Sequence, residues 1–362
     1  MFICGWERSQ IGDIMAHHLN LEDIARLAGV SRSTVSRVIN DHPNVSERTR
    51  RKVWRVVREQ NFRPNLVARA LVTHQTRILS LVIPQAIAYT FTDPYFPLLI
   101  QGVMSEANGQ DYAVMLWVGS STEEERFCDR ILNNSTFDGV LVASAVTDDP
   151  LIPRLTYAGF PLVVVGPPPL ENLNYVDVNN VEGARTAVRH LIELGRQRIA
   201  VITGPLNMGA ARDRLEGYIQ ALEDAGRSPD GDLVVEGDFN EAAGYTCMKT
   251  LLQRKVDGVF ASSDMLAMGA LRAIQERGLR VPDDISLVGF DDLPAAATSN
   301  PPLTTVRQPI FEMGAQAAQA LIGLLDGTLA VPYQQILSTE LVVRGSCGAV
   351  GQEALHGKSE RR

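Results

Sequence analysis

Apolar residues in this chain recur with two different periods, and the change falls just before Ile78. Between residues 20 and 61 they return every three or four positions: Leu21, Ile24, Ala25 and Leu27, then Val35 and Val38, then Val53, Val56 and Val57. That spacing predicts three short amphipathic helices around a small core. From Ile78 onward, ILSLVI, YAVMLW, GVLVAS and PLVVV are compact apolar runs separated by helical patterns at 95–108 and 122–133. The alternation resumes with helix 181–195, strand RIAVIT, helix 210–225, strand DLVVE, helix 241–252, strand DGVFAS, helix 264–277 and strand ISLVGF. Such runs belong to strands buried on both faces, so two doubly wound α/β lobes with mostly parallel sheets are expected.

The helical segment carries punctuation of its own. Asn20 can cap the first helix, with Asp23 closing a capping box. Gly29 accepts a left-handed helix end, Val30 plugs the turn, and Ser31 can cap the next helix, about Arg32 to Ile39. Counting Leu21 as 1, Ala25, Gly29 and Val35 fall at 5, 9 and 15, the spacing of a helix-turn-helix. In that motif the N-terminal residues of the second helix lie against base edges, which makes Arg32, Ser33 and Arg37 the candidate readers. Ser31, Ser36 and Asn40 are candidates for phosphate contacts. A solvated helical hairpin with solubilising arginines is the alternative. A third helix, capped by Ser46, is expected to end near Asn61. In FRPNLVARAL, Pro64 stops a helix and Asn65 can cap a six-residue one from Leu66 to Leu71. So short a helix needs a partner. The segment is either a plain linker or a conditional helix in which Asn65, Ala68 and Leu71 meet the minor groove, Leu71 as a wedge.

Charge sharpens this division. The whole chain carries −8, which alone argues against nucleic acid. Yet residues 16–77 hold 12 Lys+Arg against 5 Asp+Glu, or +7, and residues 78–362 hold 21 against 35, or −14. A basic head on an acidic body is the footprint of phosphate binding at one end. Cys4, Cys128, Cys247 and Cys347 form no CxxC and no metal-ligand spacing with the six histidines, so no metal or cofactor is expected and a reducing cytoplasm is the simplest setting. No apolar run reaches membrane-spanning length, and MFICGWERSQIGDIM lacks a signal-peptide pattern. GxGxxG opening a helix, GxxxxGK[ST], HExxH and GxSxG are all missing, which argues against an enzyme.

DIARLAGVSRSTVSRVIN, VSERTRRKV and FRPNLVARAL, followed by GPLN with RDRLEGYIQAL, SSDMLAMGAL, VPDDISLVGFDD and PPLTTVRQP, resemble the lactose-repressor and galactose-repressor (LacI/GalR) family of bacterial transcription factors, in its order and spacing. The resemblance runs to about Gly345. It implies an all-α helix-turn-helix DNA-binding domain joined to a two-lobed, periplasmic-binding-protein-like effector domain. It also implies a homodimer on a palindromic operator, a hinge helix that forms on DNA, and a small-molecule effector, expected to be a carbohydrate. The polar tail GQEALHGKSERR offers no leucine heptad for a tetramer. Expected boundaries are a flexible extension at 1–18, with Met15 an alternative start, then 19–63 for DNA binding and 64–77 for hinge and linker. The effector domain is expected at 78–348, its first lobe about 78–176 and 308–335 and its second about 177–307 and 336–348, with a tail at 349–362. Helix 310–326 and strand QQILSTELVV are expected to cross back between lobes.

Open α/β sheets bind ligands beyond the carboxyl ends of their strands. In FTDPYF, Asp93 can accept sugar hydroxyls and Phe96, or Tyr95, can stack on an apolar ring face, though an aromatic beside Pro94 also suits a core. The resemblance adds Arg214 as the effector-binding arginine, Asp291 in GFDD as its partner across the cleft, and Phe239 as a stacking aromatic. Ser263 stands where relatives often carry Asn. A structural ion pair with no ligand is the alternative for Arg214 and Asp291. Solute-binding proteins and sugar-acting enzymes of the same two-lobed fold are the rival functions.

Overall fold

The computed structural model describes residues 19–39, 42–62, 75–84, 87–119, 128–129, 132, 136–144, 146–147 and 149–349. The candidate contacts Asn40, Asn65, Ala68 and Leu71 lie outside them, as do the segments 1–18 and 350–362. The chain divides into two compact units at Thr76 and Arg77.

In the first unit, α1 (Leu21–Ala28), α2 (Arg32–Ile39) and α3 (Glu47–Glu59) enclose Ile24, Ala25, Ala28, Val35, Val38, Val53, Val56 and Val57. The Asn20 carboxamide accepts from the Glu22 and Asp23 amides at 2.8 and 3.1 Å, and Asp23 accepts from the Asn20 amide at 3.1 Å, which completes the capping box. Gly29 is left-handed at φ 56°, and the Val30 amide donates to the Ala25 carbonyl at 3.0 Å, fixing a tight turn. Leu27 departs from expectation. It is 50% exposed while Ala28 takes the inward place, because Ala28 lies four residues after Ile24 and so shares its face.

The second unit holds two six-stranded sheets. In chain order the strands and helices are β1 (Ile78–Ile83), α4 (Ile87–Thr92), α5 (Tyr95–Gly109), β2 (Ala113–Val118), β3 (Gly139–Ala143), α6 (Leu151–Tyr157), β4 (Leu162–Val165) and β5 (Tyr175–Val178). Then come α7 (Asn180–Glu193), β6 (Ile199–Thr203), α8 (Gly209–Asp224), β7 (Val234–Glu236), α9 (Glu241–Leu251), β8 (Gly258–Ala261), α10 (Asp264–Glu276) and β9 (Ser286–Asp291). The unit ends with α11 (Pro294–Thr298), β10 (Thr304–Arg307), α12 (Ile310–Leu325), β11 (Gln334–Leu337) and β12 (Glu340–Val342). The first sheet runs β11-β5-β4-β3-β1-β2, all parallel. The second runs β12-β10-β9-β8-β6-β7, parallel except that β12 lies antiparallel to β10. Central strands such as β3 and β6 are buried at every position, as their unbroken apolar runs require.

Three features differ from the sequence pattern. QQILSTELVV is not one strand. It breaks at Ser338 and Thr339, so β11 extends the first sheet and β12 the second, and the expected lobe edge at 336 moves to that break. β5 was not anticipated, because a four-residue YVDV strand with an internal aspartate has neither a continuous nor a cleanly alternating pattern. α4 forms between β1 and Asp93, where the sequence pattern predicts no helix. Of the expected helix 122–133, only 128, 129 and 132 are described, and they are helical. Among the described residues no helix is long and apolar enough to cross a membrane, and no group of three or more His, Cys, Asp or Glu could hold a metal ion.

α5 and α12 meet backbone to backbone. A Cβ on Gly102 would overlap the Phe311 carbonyl, and one on Gly314 the Leu99 carbonyl. Gly102→Ala is therefore expected to destabilise the effector unit by about 2 kcal/mol, since overpacking against backbone outweighs the roughly 1 kcal/mol gain in helix propensity. Urea unfolding of the variant against the parent measures it; unchanged stability would mean the helices part without cost.

Candidate functional site

On the first unit, Arg32, Ser33 and Arg37 are exposed on the side of α2 opposite buried Val35 and Val38. The Ser31 hydroxyl is engaged locally. It accepts from the Thr34 amide at 3.1 Å and lies 2.8 Å from the Ser33 and Thr34 hydroxyls, so it stiffens the first turn of α2. Ser36 is half-buried. Arg32 reaches Glu22 at 3.6 Å, but both side chains are largely exposed, and such pairs hold a side chain only weakly. A basic, conformationally available row on a rigid helix is what a phosphate-lined groove requires.

The second unit contains an open-mouthed cleft where the carboxyl ends of both sheets face each other. Asp93, Phe96, Arg214, Phe239, Ser263 and Asp291 all line it, with Tyr95, Ser144, Met208, Ala210 and Gln308. The six candidates, from three loops, two helices and the end of β9, thus share one surface. A second chamber shares the walls at Tyr95, Ser144, Arg214 and Gln308 and adds Gly166, Pro167, Asp177, Asn180 and Gly209. Tyr95 was considered only beside Phe96, and Asp177, Asn180 and Gln308 were missed. The signal for Gln308 was present, since it is the first polar residue after the β10 run and stands beside Pro309.

Arg214 is the hub. Projecting from α8, its Nε donates to the Asn180 Oδ1 at 2.8 Å and its Nη1 to the Ser262 carbonyl at 2.6 Å. The same Nη1 stands 3.5 Å from Asp291 Oδ1. Its guanidinium lies 3.7 Å from the Phe290 ring centroid and 6.0 Å from that of Phe239. Asp291 ends β9 with φ 121°, a backbone conformation that few non-glycine residues adopt, and accepts from the Gln308 carboxamide at 2.5 Å. A Cβ on Gly204 would strike the Phe239 ring, so that glycine makes room for the aromatic. Ser263 caps α10 by accepting from the Leu266 amide at 3.2 Å. Its hydroxyl is thereby engaged at the cavity wall, at the position where relatives often carry Asn. Phe96 both lines the cavity and packs in the core with Leu99, so its two expected readings coexist.

The carboxyls here are held against their preference. Burial, together with the nearby charge of Asp93, pushes Asp291 up to about 7 despite the opposing pull of Arg214. Burial also raises Asp177 to about 7, with Asp213 adding to the shift. Asp264, behind Asp291, is raised further by burial and by Asp291 itself. Tyr95 is pushed upward by burial.

One side of the cleft is closed by contacts between the lobes. The Thr147 amide and hydroxyl both donate to the Asn207 carbonyl, at 2.7 and 2.9 Å, and Arg212 donates to the Thr147 hydroxyl at 2.6 Å. Val146 and Met208 form an antiparallel bridge beside them, and a Cβ on Gly209 would come within 2.7 Å of the Pro167 Cβ.

Comparison with known proteins bears on both units. Residues 20–65 match bacterial regulatory proteins of the lacI family, and residues 188–347 match a periplasmic binding protein-like domain. The HTH-type transcriptional regulator CelR of Thermobifida fusca is 41% identical over 331 residues, 90% of this chain and 97% of that protein. The HTH-type transcriptional repressor PurR of Haemophilus influenzae strain PittEE is 34% identical over 340 residues, 91% of this chain and 99% of that one. Among solved structures, a CelR–cellobiose complex superposes with a TM-score of 0.73 at 39% identity, covering 91% of this chain and 99% of that one. The lac repressor dimer bound to operator and the anti-inducer ONPF gives 0.78 at 29% identity with the same coverage.

The raised carboxyl of Asp291 has a measurable consequence. A carboxyl shifted from 3.8 to about 7 binds its proton more tightly in the folded state, so its contribution to stability falls as pH rises from about 4 to about 7 and is flat beyond. Asp291→Asn carries no such loss. Its melting temperature relative to the parent should therefore climb across that window; a constant difference from pH 4.5 to pH 7.5 would show that Asp291 is not shifted.

Proposed function

Because the chain belongs to the lacI family of bacterial regulatory proteins, we propose that it is a repressor whose grip on a palindromic operator is set by a sugar or sugar derivative held between its two α/β lobes. It is a sequence-specific DNA-binding regulator, and it acts as a homodimer in the cytoplasm, not as an enzyme. The observation that carries the effector half of this reading is the convergence of Arg214, Asp291, Asp93, Phe96 and Phe239 on one cleft. Carboxylates and a guanidinium accept from and donate to vicinal hydroxyls directionally, and an aromatic face covers the apolar side of a pyranose ring. The complex of the relative CelR with cellobiose supports a carbohydrate effector. The basic helix-turn-helix head distinguishes this reading from a solute-binding protein, which shares only the lobed fold.

Control follows from linkage. Occupancy of the cleft favours one relative orientation of the lobes, which sets the spacing of the hinge segments in a dimer, and hence whether the segment with Asn65, Ala68 and Leu71 docks in the minor groove. A coupling of about 1–3 kcal/mol, typical of such systems, changes operator affinity roughly 5- to 150-fold. The read-out on DNA is assigned to Arg32, Ser33 and Arg37, with phosphate contacts from Ser31, Ser36 and Asn40.

Two substitutions test the two halves separately. Asp291→Ala should abolish the response of operator binding to sugars while leaving operator affinity without sugar within a few-fold of the parent, as read by fluorescence anisotropy with cellobiose and a panel of mono- and disaccharides. A surviving response would remove Asp291 from the site. Arg32→Ala should cost about 1–3 kcal/mol on the specific operator and clearly less on random duplex. Equal losses on both would reduce Arg32 to a phosphate contact.

A further inference from the structure

The charge on the walls of the cleft is lopsided. Among the described lining residues of both chambers Arg214 is the single cation, and it shares those walls with the carboxyls of Asp93, Asp177 and Asp291. All four side chains are deeply buried, none more than 7% exposed. Arg214 is already committed at Nε to Asn180 and at Nη1 to the Ser262 carbonyl and Asp291. The second chamber has no further positive side chain. Its Asp177, at the sheet end of β5, accepts from the Asn180 carboxamide at 3.1 Å, and that same Asn180 steadies Arg214 through its Oδ1. Asp213 on α8 adds more negative charge nearby and Asp264 stands behind Asp291.

From this arrangement we propose that the cleft selects an uncharged, hydroxyl-rich effector, and that Asp177 is a specificity-determining residue that rejects phosphate- or carboxylate-bearing analogues. The inference rests on the effector reading of the cleft and adds the class of effector to it. Hydroxyls donate to carboxylates and accept from Gln308 or Arg214, so a neutral polyol satisfies both kinds of partner. A fully ionised phosphate or carboxylate group only accepts, and would be placed among carboxylates whose one cation among the described lining residues, Arg214, is already engaged. One feature favours an anion: α8 begins at Gly209 in the second chamber with no side-chain cap on its first turn. A helix N-terminus counts for about half a positive charge. Against three carboxylates in a water-poor cleft it is outweighed. Burial already holds Asp177 and Asp291 near 7, with neighbouring carboxylates adding to both shifts, and an incoming anion would work in the same direction.

Binding of matched pairs to the full-length chain tests this: glucose, cellobiose and maltose, each against its own 6-phosphate, by calorimetric titration and thermal shift. At least one neutral sugar should bind, and its phosphate should bind at least tenfold more weakly. Asp177→Asn should shrink that gap by threefold or more, whereas Asp177→Glu, which keeps the charge, should preserve it. A phosphate that binds the parent as tightly as its neutral partner overturns the proposal, and a gap unchanged in Asp177→Asn removes Asp177 from it. Should Asp177→Asn fail to fold, the parent's own ratio still decides the choice of class. If no sugar of either charge binds, it is the effector reading of the cleft itself that falls.

Discussion

The buried guanidinium of Arg214 is the constraint around which the effector unit is organised. An arginine taken out of water costs several kcal/mol unless its donors are met and its charge is balanced. Here the partners come from three directions: Asn180 at the start of α7, the Ser262 carbonyl at the end of β8, and Asp291 at the end of β9. Phe290 covers one face of the group. Ser262 and Asp291 both stand at the carboxyl end of the second sheet and Asn180 opens the helix packed on it, so the strand order of that sheet and the wiring of one side chain specify each other. The strained backbone of Asp291 fits this view, since a φ of 121° persists only where the surroundings over-determine it.

Much of this was legible before any coordinates. Strands buried on both faces announce themselves as unbroken apolar runs, and the three helices of the head carry a capping residue at each start, with Asn20 and Ser46 as clear signals. Of the effector residues, Asp93 lies in a loop to which the open-sheet rule points, whereas Arg214, Phe239 and Asp291 were legible only through the family resemblance. What the sequence hid was of two kinds. β5, with its polar Asp177, is too short to show a period, and the break at Ser338 and Thr339 leaves no proline or glycine to mark it. Both arise from tertiary context: a short strand is held by its neighbours β4 and β11, not by propensity. The role of Ser263 also needed coordinates, because only geometry shows its hydroxyl turned back onto the Leu266 amide.

Charge divides the molecule as sharply as fold does. The +7 of residues 16–77 and the −14 of residues 78–362 give each part a different relation to a polyanion. The basic part gains affinity from counterion release, and the acidic part is kept from competing for the same phosphates. Within the acidic part the same sign reappears at close range, in the carboxyls of the cleft. A long-range field that keeps the body off DNA and a short-range one that shapes the ligand site come from one compositional bias.

The cleft joins the two lobes through charge as well as contact. Burial raises the proton affinity of its carboxyls, and contacts such as Thr147 to Asn207 link the lobes at its rim. A ligand alters the lobe arrangement only by the difference in its free energy between arrangements. Hydroxyl donors supplied to Asp177 and Asp291 from opposite walls act only when both walls are in reach. A ligand that met both carboxyls would offset the cost of burying them, and it is such a difference between lobe arrangements, not the tightness of any single hydrogen bond, that linkage can carry to a second site.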